Sequence, residues 1–497
     1  MSEVPAVLSS PEASPRHEPD MLPRVLRHSA WLFSSSVIAR GVNFLRTLIL
    51  ARLLLPEDFG LFGLASSILG FSLVFGGVGI GPSLLYQRES GRAYRDTAFW
   101  LNAALAAAML GMLCLLAPAL AAFYARPGLA WIIVGLAGAF LLQMLGMVHR
   151  NFLRRELHFG VLAAAEIAAS VAAIVAAVVL ALRGHGVWAF VGSLTAANLT
   201  SFVMMWRLST WTPRFSLDRG AVREIARFSS WYLGAALAFY FALSLDRFLI
   251  GKFLGLSLLG HYVLAYDFSL ALIGLLVSPL SQVIVPALAR LRDDPTRFWN
   301  EYFRVARLSA ALMTPLAFLA VVVAPVALPL AFGPKWTMAV LPFQILIVYL
   351  LLRSLAGDPF AAWGRFDLSC KVGLGVLVAG LAGILFALNY GIVGVALAAS
   401  VVSLSGQLAG VVVTGSIREL ARLAAAVTPS ILRAGAATAV GWLMMAGMES
   451  QGAGRLSAAV AGAAVLGAVY MVLARRDLGE MLDGWRRGSM PSEEARV

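Results

Sequence analysis

Charged residues are scarce in this 497-residue chain. Asp, Glu, Lys and Arg make up 13% of it, whereas 60% of the residues are hydrophobic. Soluble proteins are nearer a quarter charged and half apolar. Cysteine is found only at Cys114 and Cys370, in or beside apolar segments, so neither a disulfide nor a zinc site is expected. These absences exclude an ordinary soluble domain.

Motifs for several kinds of chemistry are also missing from the sequence. There is no Gly-Lys-Ser/Thr phosphate loop and no His-Glu-x-x-His, so neither a built-in ATPase nor a zinc peptidase is expected. No loop is long enough to form a catalytic domain, and we predict that the chain is not an enzyme and needs no cofactor. The net charge of +13 is explained by basic cytoplasmic loops rather than by nucleic-acid binding.

Apolar runs follow one another almost from end to end. A membrane-spanning helix needs about 20 apolar residues. The runs predict an all-α polytopic membrane protein with helices near 28–54, 58–85, 97–124, 129–148, 159–182, 186–206, 229–254, 260–287, 307–331, 337–357, 371–389, 391–414, 425–447 and 457–474.

The distribution of basic residues predicts the topology. With the N-terminus inside, 30 of the 39 Lys and Arg residues lie in cytoplasmic segments. We therefore predict a bacterial inner-membrane protein with both termini in the cytoplasm. Asp96 and Glu156 lie among arginines in the cytoplasmic loops and are interpreted as solvated boundary charges.

The chain carries an internal repeat. A shift of 200 residues aligns the Arg-x-Ser-x-Trp segment 27–31 with 227–231, Gly60 with Gly260 and Arg52 with Lys252, without a gap. The offset of six helices predicts parallel lobes related by an axis along the membrane normal. The predicted organisation is a disordered tail (1–26), an N-lobe of six helices (27–206), a linker (207–228), a C-lobe of six helices (229–414), two extra helices (415–476) and a tail (477–497).

Several charged residues lie within apolar segments, where they cost at least about 2.5–3.5 kcal/mol and usually face a cavity or a partner. They are Arg40 and Arg46 in the first helix, with Asn43 one turn from each, and Asp246 and Arg247 in the seventh. Three interpretations stay open: Arg46 pairs with Asp246 across the lobes, the arginines bind an anionic head group, or they snorkel to the interface.

Asp267 in the eighth helix is a candidate coupling carboxylate. It is equally well explained as a partner of Lys252 or His261 near the outer surface.

Five segments resemble Wzx-type polysaccharide flippases of the multidrug/oligosaccharidyl-lipid/polysaccharide exporter superfamily. They are RTLILARLLLPEDFGLFGLA (46–65), LDRFLIGKFLG (245–255), LGHYVLAY (259–266), SPLSQVIVPALAR (278–290) and GRFDL (364–368). The resemblance covers roughly residues 27 to 420. In these relatives a basic residue is common where this chain has Asp267.

The resemblance implies alternating access by two six-helix lobes around a cationic cavity. It implies movement of an undecaprenyl-diphosphate-linked oligosaccharide across the inner membrane for O-antigen, capsule or exopolysaccharide, alongside other polysaccharide-assembly proteins, with H⁺ or Na⁺ coupling in some members. On that ground the substrate-binding candidates include Arg40, Arg46, Asp246, Arg247 and Lys252. The alternatives are a peptidoglycan-precursor flippase, a drug/cation antiporter of the same superfamily and, from another class, a membrane polymerase or transferase.

Overall fold

The computed structural model describes residues 40–77, 92–156, 158–209, 211–289, 291, 294–356 and 366–475. The predicted tails 1–26 and 477–497 and the first copy of the Arg-x-Ser-x-Trp segment lie outside these residues. Residues 290, 364 and 365 of the family-like segments lie outside them as well.

Long α-helices make up almost all of the described chain. In order they are α1 (40–53), α2 (Pro56–Gly77), α3 (Arg92–Phe123), α4 (Gly128–Arg155), α5 (Phe159–Leu182), α6 (Trp188–Leu208), α7 (Arg219–Phe253), α8 (Leu256–Ala289), α9 (Pro295–Phe332), α10 (Val340–Ala356), α11 (Phe366–Ala387), α12 (Gly391–Thr414), α13 (Ile417–Ser450) and α14 (Arg455–Leu473). Two 3₁₀ helices, Pro334–Ala339 and Leu388–Tyr390, precede α10 and α12.

Ten helical segments of the described chain are long and apolar enough to cross a membrane. No β-strand is found among the described residues. The all-helical, multi-pass class predicted from the apolar runs is therefore confirmed. The count of fourteen crossings stays a prediction.

Three helices begin well before their predicted starts. α7 begins at Arg219 rather than 229, α9 at Pro295 rather than 307, and α13 at Ile417 rather than 425. Asp294 caps α9, since its side chain accepts a hydrogen bond from the N–H of Arg297, and Ser416 caps α13. Hydropathy marks where a helix enters the bilayer, whereas capping side chains mark where the helix itself begins.

The connection between α6 and α7 is held against the start of α3. Buried Asp96 accepts hydrogen bonds from Trp211 Nε1 (3.1 Å) and the N–H of Arg214 (3.3 Å), and Thr97 Oγ1 accepts from the N–H of Asp218 (2.9 Å). The interpretation of Asp96 as a solvated charge is wrong. Its carboxylate satisfies donors of a loop more than 110 residues away along the chain, which the local sequence does not reveal.

The helices pack as two groups that meet at α2. In the N-terminal half, α3 packs on α4, and α4 and α5 pack on α6. In the C-terminal half, α7 packs on α11, α8 on α10, and α12 on both α10 and α11, while α13 packs on α9 and α14. The halves meet where α2 crosses α8 and, less extensively, α7.

The crossing of α2 and α8 is centred on two repeat-related glycines. A Cβ on Gly60 would overlap the carbonyl oxygen of Leu256, and a Cβ on Gly260 would overlap that of Pro56. Each added Cβ would also lie 3.1 Å from the other glycine's nitrogen. Positions 56 and 60 thus meet positions 256 and 260 reciprocally, and only glycine allows two helix backbones to approach so closely.

Candidate functional site

The α1 arginines point to different halves of the molecule. Arg40 is exposed, and its Nη1 donates to the carbonyl of Gly274 on α8, 2.9 Å away. Arg46 is partly buried, and its Nη1 donates to Ser193 Oγ on α6 at 3.0 Å. Six residues at about 100° each separate two side chains by about 120°. The arginines therefore need not share a cavity, as the helical spacing predicts.

Asn43 lies between the two arginines on α1. Its side chain is exposed, and its backbone carbonyl accepts a hydrogen bond from Thr47 Oγ1 at 3.0 Å. It stays a candidate ligand beside Arg40.

Asp246 on α7 is buried within the C-terminal half. It is 4% exposed; one carboxylate oxygen accepts from Tyr262 Oη at 2.5 Å and the other from the N–H of Arg247 at 2.8 Å. The hypothesis that Asp246 pairs with Arg46 is wrong. Repeat equivalence places the two residues at matching positions, but each bonds to a residue of its own half, Arg46 to Ser193 and Asp246 to Tyr262.

Arg247 on the same helix forms an ion pair with Asp267 on α8. The Nη2–Oδ1 distance is 3.6 Å, and the guanidinium carbon lies 4.5 Å from the centre of the Tyr266 ring. The side chain of Asp267 is 54% exposed, whereas that of Arg247 is 19% exposed. Membrane-depth carboxylates are expected to pair or to face a cavity, and Asp267 is paired with Arg247.

The other two partners considered for Asp267 are engaged elsewhere. His261 lies with Nδ1 2.8 Å from the carbonyl of Ser257 and Nε2 2.9 Å from that of Lys335. Pairing of Asp267 with Lys252 or His261 is therefore wrong. Its role as a coupling carboxylate stays a prediction.

Lys252 lies apart from the other candidates, at the end of α7. Its ammonium donates to the carbonyl of Phe123 on α3 and lies 4.2 Å from the centre of the Phe123 ring. We find it at the end of the helix bundle, among contacts between the halves, rather than beside Arg247. A role in binding substrate there stays a prediction.

A cavity opens beside Asp246 inside the C-terminal half. Its lining includes Asp246, Tyr262, Tyr266, Tyr349 and Ser403 among aliphatic side chains. Arg353 Nη1 donates to Tyr349 Oη at 3.4 Å. The cavity combines a carboxylate with phenol and hydroxyl oxygens, a set suited to binding a proton or a small cation.

The tyrosines of this cavity were not among the sequence candidates. One signal was nevertheless available, because the 200-residue repeat pairs Tyr262 with Phe62 and Asp246 with Arg46. The half that carries the carboxylate also carries the hydroxyl that binds it. In the other half Phe62 stacks on Phe190 with ring centres 4.3 Å apart, and Arg46 has a different partner.

Comparison with known proteins supports the resemblance. A family model described as "Polysaccharide biosynthesis protein" matches residues 49–341. The succinoglycan biosynthesis transport protein ExoT of Rhizobium meliloti (strain 1021) is 26% identical over 63% of this chain, and the match spans 64% of its own length. TuaB of Bacillus subtilis (strain 168), a teichuronic acid biosynthesis protein, is 23% identical over 72% of this chain and 76% of its own. WzxC of Escherichia coli (strain K12), a lipopolysaccharide biosynthesis protein, is 23% identical over 70% and 72%.

Two solved structures share the fold at low sequence identity. The lipid II flippase MurJ in an inward closed conformation superposes with a TM-score of 0.71 at 14% identity, covering 90% of this chain and 99% of that one. An inward-facing multidrug resistance MATE family transporter of the MOP superfamily gives 0.59 at 14% identity, covering 80% and 94%. Since the family model matches more than half of the sequence, the chain belongs to the polysaccharide biosynthesis protein family.

Proposed function

We propose that this protein is a flippase that moves an undecaprenyl-diphosphate-linked oligosaccharide across the inner membrane for O-antigen, capsule or exopolysaccharide synthesis. Its family and the printed names of its relatives support a role in building surface polysaccharide. A sugar-phosphate head group cannot cross hydrocarbon unaided, because each unsatisfied polar group costs several kcal/mol there. The protein's task is to provide a polar path, and we propose no chemical step.

The proposed architecture is two parallel six-helix lobes, α1–α6 and α7–α12, followed by α13 and α14, with both termini in the cytoplasm. The reciprocal meeting of Gly60 and Gly260 supports an axis between the lobes. The MurJ-like fold supports alternating access through rocking of the lobes.

Arg40 is the observation that carries the assignment of an anionic substrate. Its guanidinium is exposed and spans from α1 to the carbonyl of Gly274 on α8, where the two halves face each other. Guanidinium has five N–H donors, so bonding to one carbonyl leaves donors for the oxygens of a diphosphate. Arg247 supplies a second cation whose charge Asp267 balances.

Coupling to H⁺ or Na⁺ belongs to the same proposal. The Asp267 carboxylate is exposed and paired with Arg247, and Asp246 lines a cavity with three tyrosines. Either carboxylate could exchange its present partner for a cation as the lobes move.

Deletion of the gene tests the proposal. We expect loss of surface polysaccharide and accumulation of the lipid-linked oligosaccharide in the cytoplasmic leaflet, measured by extracting and labelling lipid intermediates. Complementation with wild type should restore both, and the Arg40→Gln variant should do so poorly despite normal membrane levels. Unchanged glycan with altered drug resistance, or blocked peptidoglycan synthesis, would instead favour the antiporter or precursor-flippase alternative. Accumulated but flipped oligosaccharide that is never polymerised would favour an enzyme.

A further inference from the structure

Basic side chains bridge the two halves at one end of the bundle. This end, called the outer end here, carries the α1–α2 and α7–α8 connections, and the positive-inside pattern predicts that it faces the periplasm. Arg52, near the end of α1, donates through Nε to the carbonyl of Ala331 at 2.7 Å and through Nη2 to that of Leu330 at 2.5 Å. Both carbonyls belong to the last turn of α9.

The same contact is made in the reverse direction from the C-terminal half. Lys335, just after α9, donates to the carbonyls of Arg52 (3.0 Å) and Leu54 (2.5 Å) at the end of α1. The neighbouring Trp336 is fully buried and donates through Nε1 to the carbonyl of Ala51 at 2.8 Å. The ends of α1 and α9 thus bond to each other reciprocally.

A second bridge lies where the repeat predicts its counterpart. Lys252 at the end of α7 donates to the carbonyl of Phe123 at the end of α3, and Tyr124 Oη lies 3.5 Å from the carbonyl of Phe248 on α7. Residue 252 is residue 52 shifted by 200, and α9 is six helices after α3. The α1–α9 and α7–α3 contacts are therefore related by the repeat axis.

The chemistry of these contacts is the same throughout. The last carbonyls of a helix have no intrahelical partner and carry partial negative charge. A cation from the opposite half donates a charge-assisted hydrogen bond to such a carbonyl and also balances its partial negative charge. All three cations are also exposed, so water can replace each bond when the halves separate.

We propose that Arg52, Lys252 and Lys335 form a latch that closes the outer end in the conformation described here. This inference rests on the proposed alternating access. Every latch bond joins the two halves, so rocking that opens the outer end must break the bonds together, whereas bonds within each half survive. Exposed charge-assisted bonds hold the closed state, and water replaces each of them when the halves separate, which suits a contact that breaks in every cycle.

The test measures the separation of the halves directly. In a Cys114→Ser/Cys370→Ser background, spin labels at Arg183→Cys and Asn389→Cys report on outer loops of opposite halves, and both positions are exposed. Distances between the two spin labels are measured by double electron–electron resonance on the full chain in lipid nanodiscs. In R52Q/K252Q/K335Q we expect a longer-distance population to grow, with the closed-to-open ratio falling about tenfold for each cation removed.

Arg126→Gln provides the matched control. Arg126 follows α3 as Lys335 follows α9, but its side chain makes no hydrogen bond or ion pair to another described residue. Its removal should leave the distance distribution unchanged. A triple variant with a wild-type distribution, or a control variant that shifts equally, would overturn the latch.

The single variant Lys252→Gln keeps the inference testable if the triple variant does not reach the membrane. It removes one exposed side chain and should shift the distribution in the same direction by about tenfold. The readout is also independent of the substrate. If the distribution shifts but deletion of the gene leaves the surface glycan unchanged, the latch stands and the proposed function does not.

Discussion

The two halves carry side chains of opposite charge at one pair of repeat-matched positions, 46 and 246. Arg46 in the N-terminal half bonds to a serine hydroxyl, and the equivalent Asp246 in the C-terminal half accepts from the hydroxyl of Tyr262. At the crossing of α2 and α8, by contrast, Gly60 and Gly260 stay identical. The repeat is kept where each half must fit the other, and it differs where each half faces its own interior.

The largest effect on transport is expected from substitutions at the crossing of α2 and α8, where the two halves are alike. Gly60→Ala and Gly260→Ala each add a Cβ that overlaps a backbone carbonyl of the facing helix. Overpacking costs typically about 1–3 kcal/mol, and backbone can relax less than a side chain. We expect transport, measured as restored surface glycan in the deletion strain, to fall about a hundredfold for either variant.

Gly111→Ala is the control for the crossing, because nothing lies within 4 Å of its added Cβ. It should transport like wild type. Equal transport by Gly60→Ala would show that the two backbones do not approach this closely during the cycle.

Charge swaps should separate the ion pair that exists from the one that does not. Arg247 and Asp267 are 3.6 Å apart, so Arg247→Asp and Asp267→Arg should each lower transport at least about tenfold. The double variant should recover part of that loss. The double swap of Arg46 and Asp246 should recover nothing, because their side chains bond to Ser193 and Tyr262 instead.

Surface-glycan yield at matched membrane levels measures both double variants. Recovery by the Arg46/Asp246 swap, with none by the Arg247/Asp267 swap, would reverse this assignment.

Removing the hydroxyl of Tyr262 should make the C-terminal half resemble the N-terminal half at this position. Tyr262→Phe gives position 262 the residue found at the equivalent position 62. It leaves one oxygen of Asp246 without its phenol donor. A hydrogen bond to a charged group contributes about 1.5–3 kcal/mol, so unfolding in detergent should require that much less free energy. Tyr390→Phe, at an exposed position, is the control and should change the free energy of unfolding little.

The smallest effect on the free energy of unfolding is expected in the N-terminal half, at the partner of Arg46. Ser193→Ala removes one acceptor from the guanidinium of Arg46. This bond also involves a charged group, but Arg46 is less buried than Asp246, so we expect a cost at the lower end of the same range, about 1.5 kcal/mol of unfolding free energy. Ser405→Ala, whose hydroxyl bonds within its own helix, serves as the control. A larger loss from Ser193→Ala than from Tyr262→Phe would contradict the ranking of the two interiors.

Sequence patterns predicted each helix that the described residues contain, but not all of the helix ends. About 20 apolar residues are needed to cross the bilayer wherever a helix begins, so the positions of the apolar runs were informative. The starts at Pro295 and Ile417 depended on capping by Asp294 and Ser416. Those signals were present in the sequence and were outweighed by hydropathy.

The partners of the charged residues were predicted less well. A repeat identifies residues at matching depth, but a side chain's partner depends on which way its helix face turns. Asp246 and Arg46 match in position and still bond to different partners, each within its own half. Asp96 was interpreted as solvated because its partners, Trp211 and Arg214, are far away in the sequence.

Hydropathy was enough to establish an all-helical, multi-pass membrane protein, because membrane insertion depends on composition. Loop charge predicted its topology, and the 200-residue repeat predicted two related halves, because duplication leaves a visible period in the sequence. The tertiary structure decided which charges meet: Asp246 with Tyr262, Arg247 with Asp267, and the three cations with helix ends of the opposite half. Such contacts depend on helix rotation and on distances of a few ångströms between segments far apart in the chain, which no local pattern encodes.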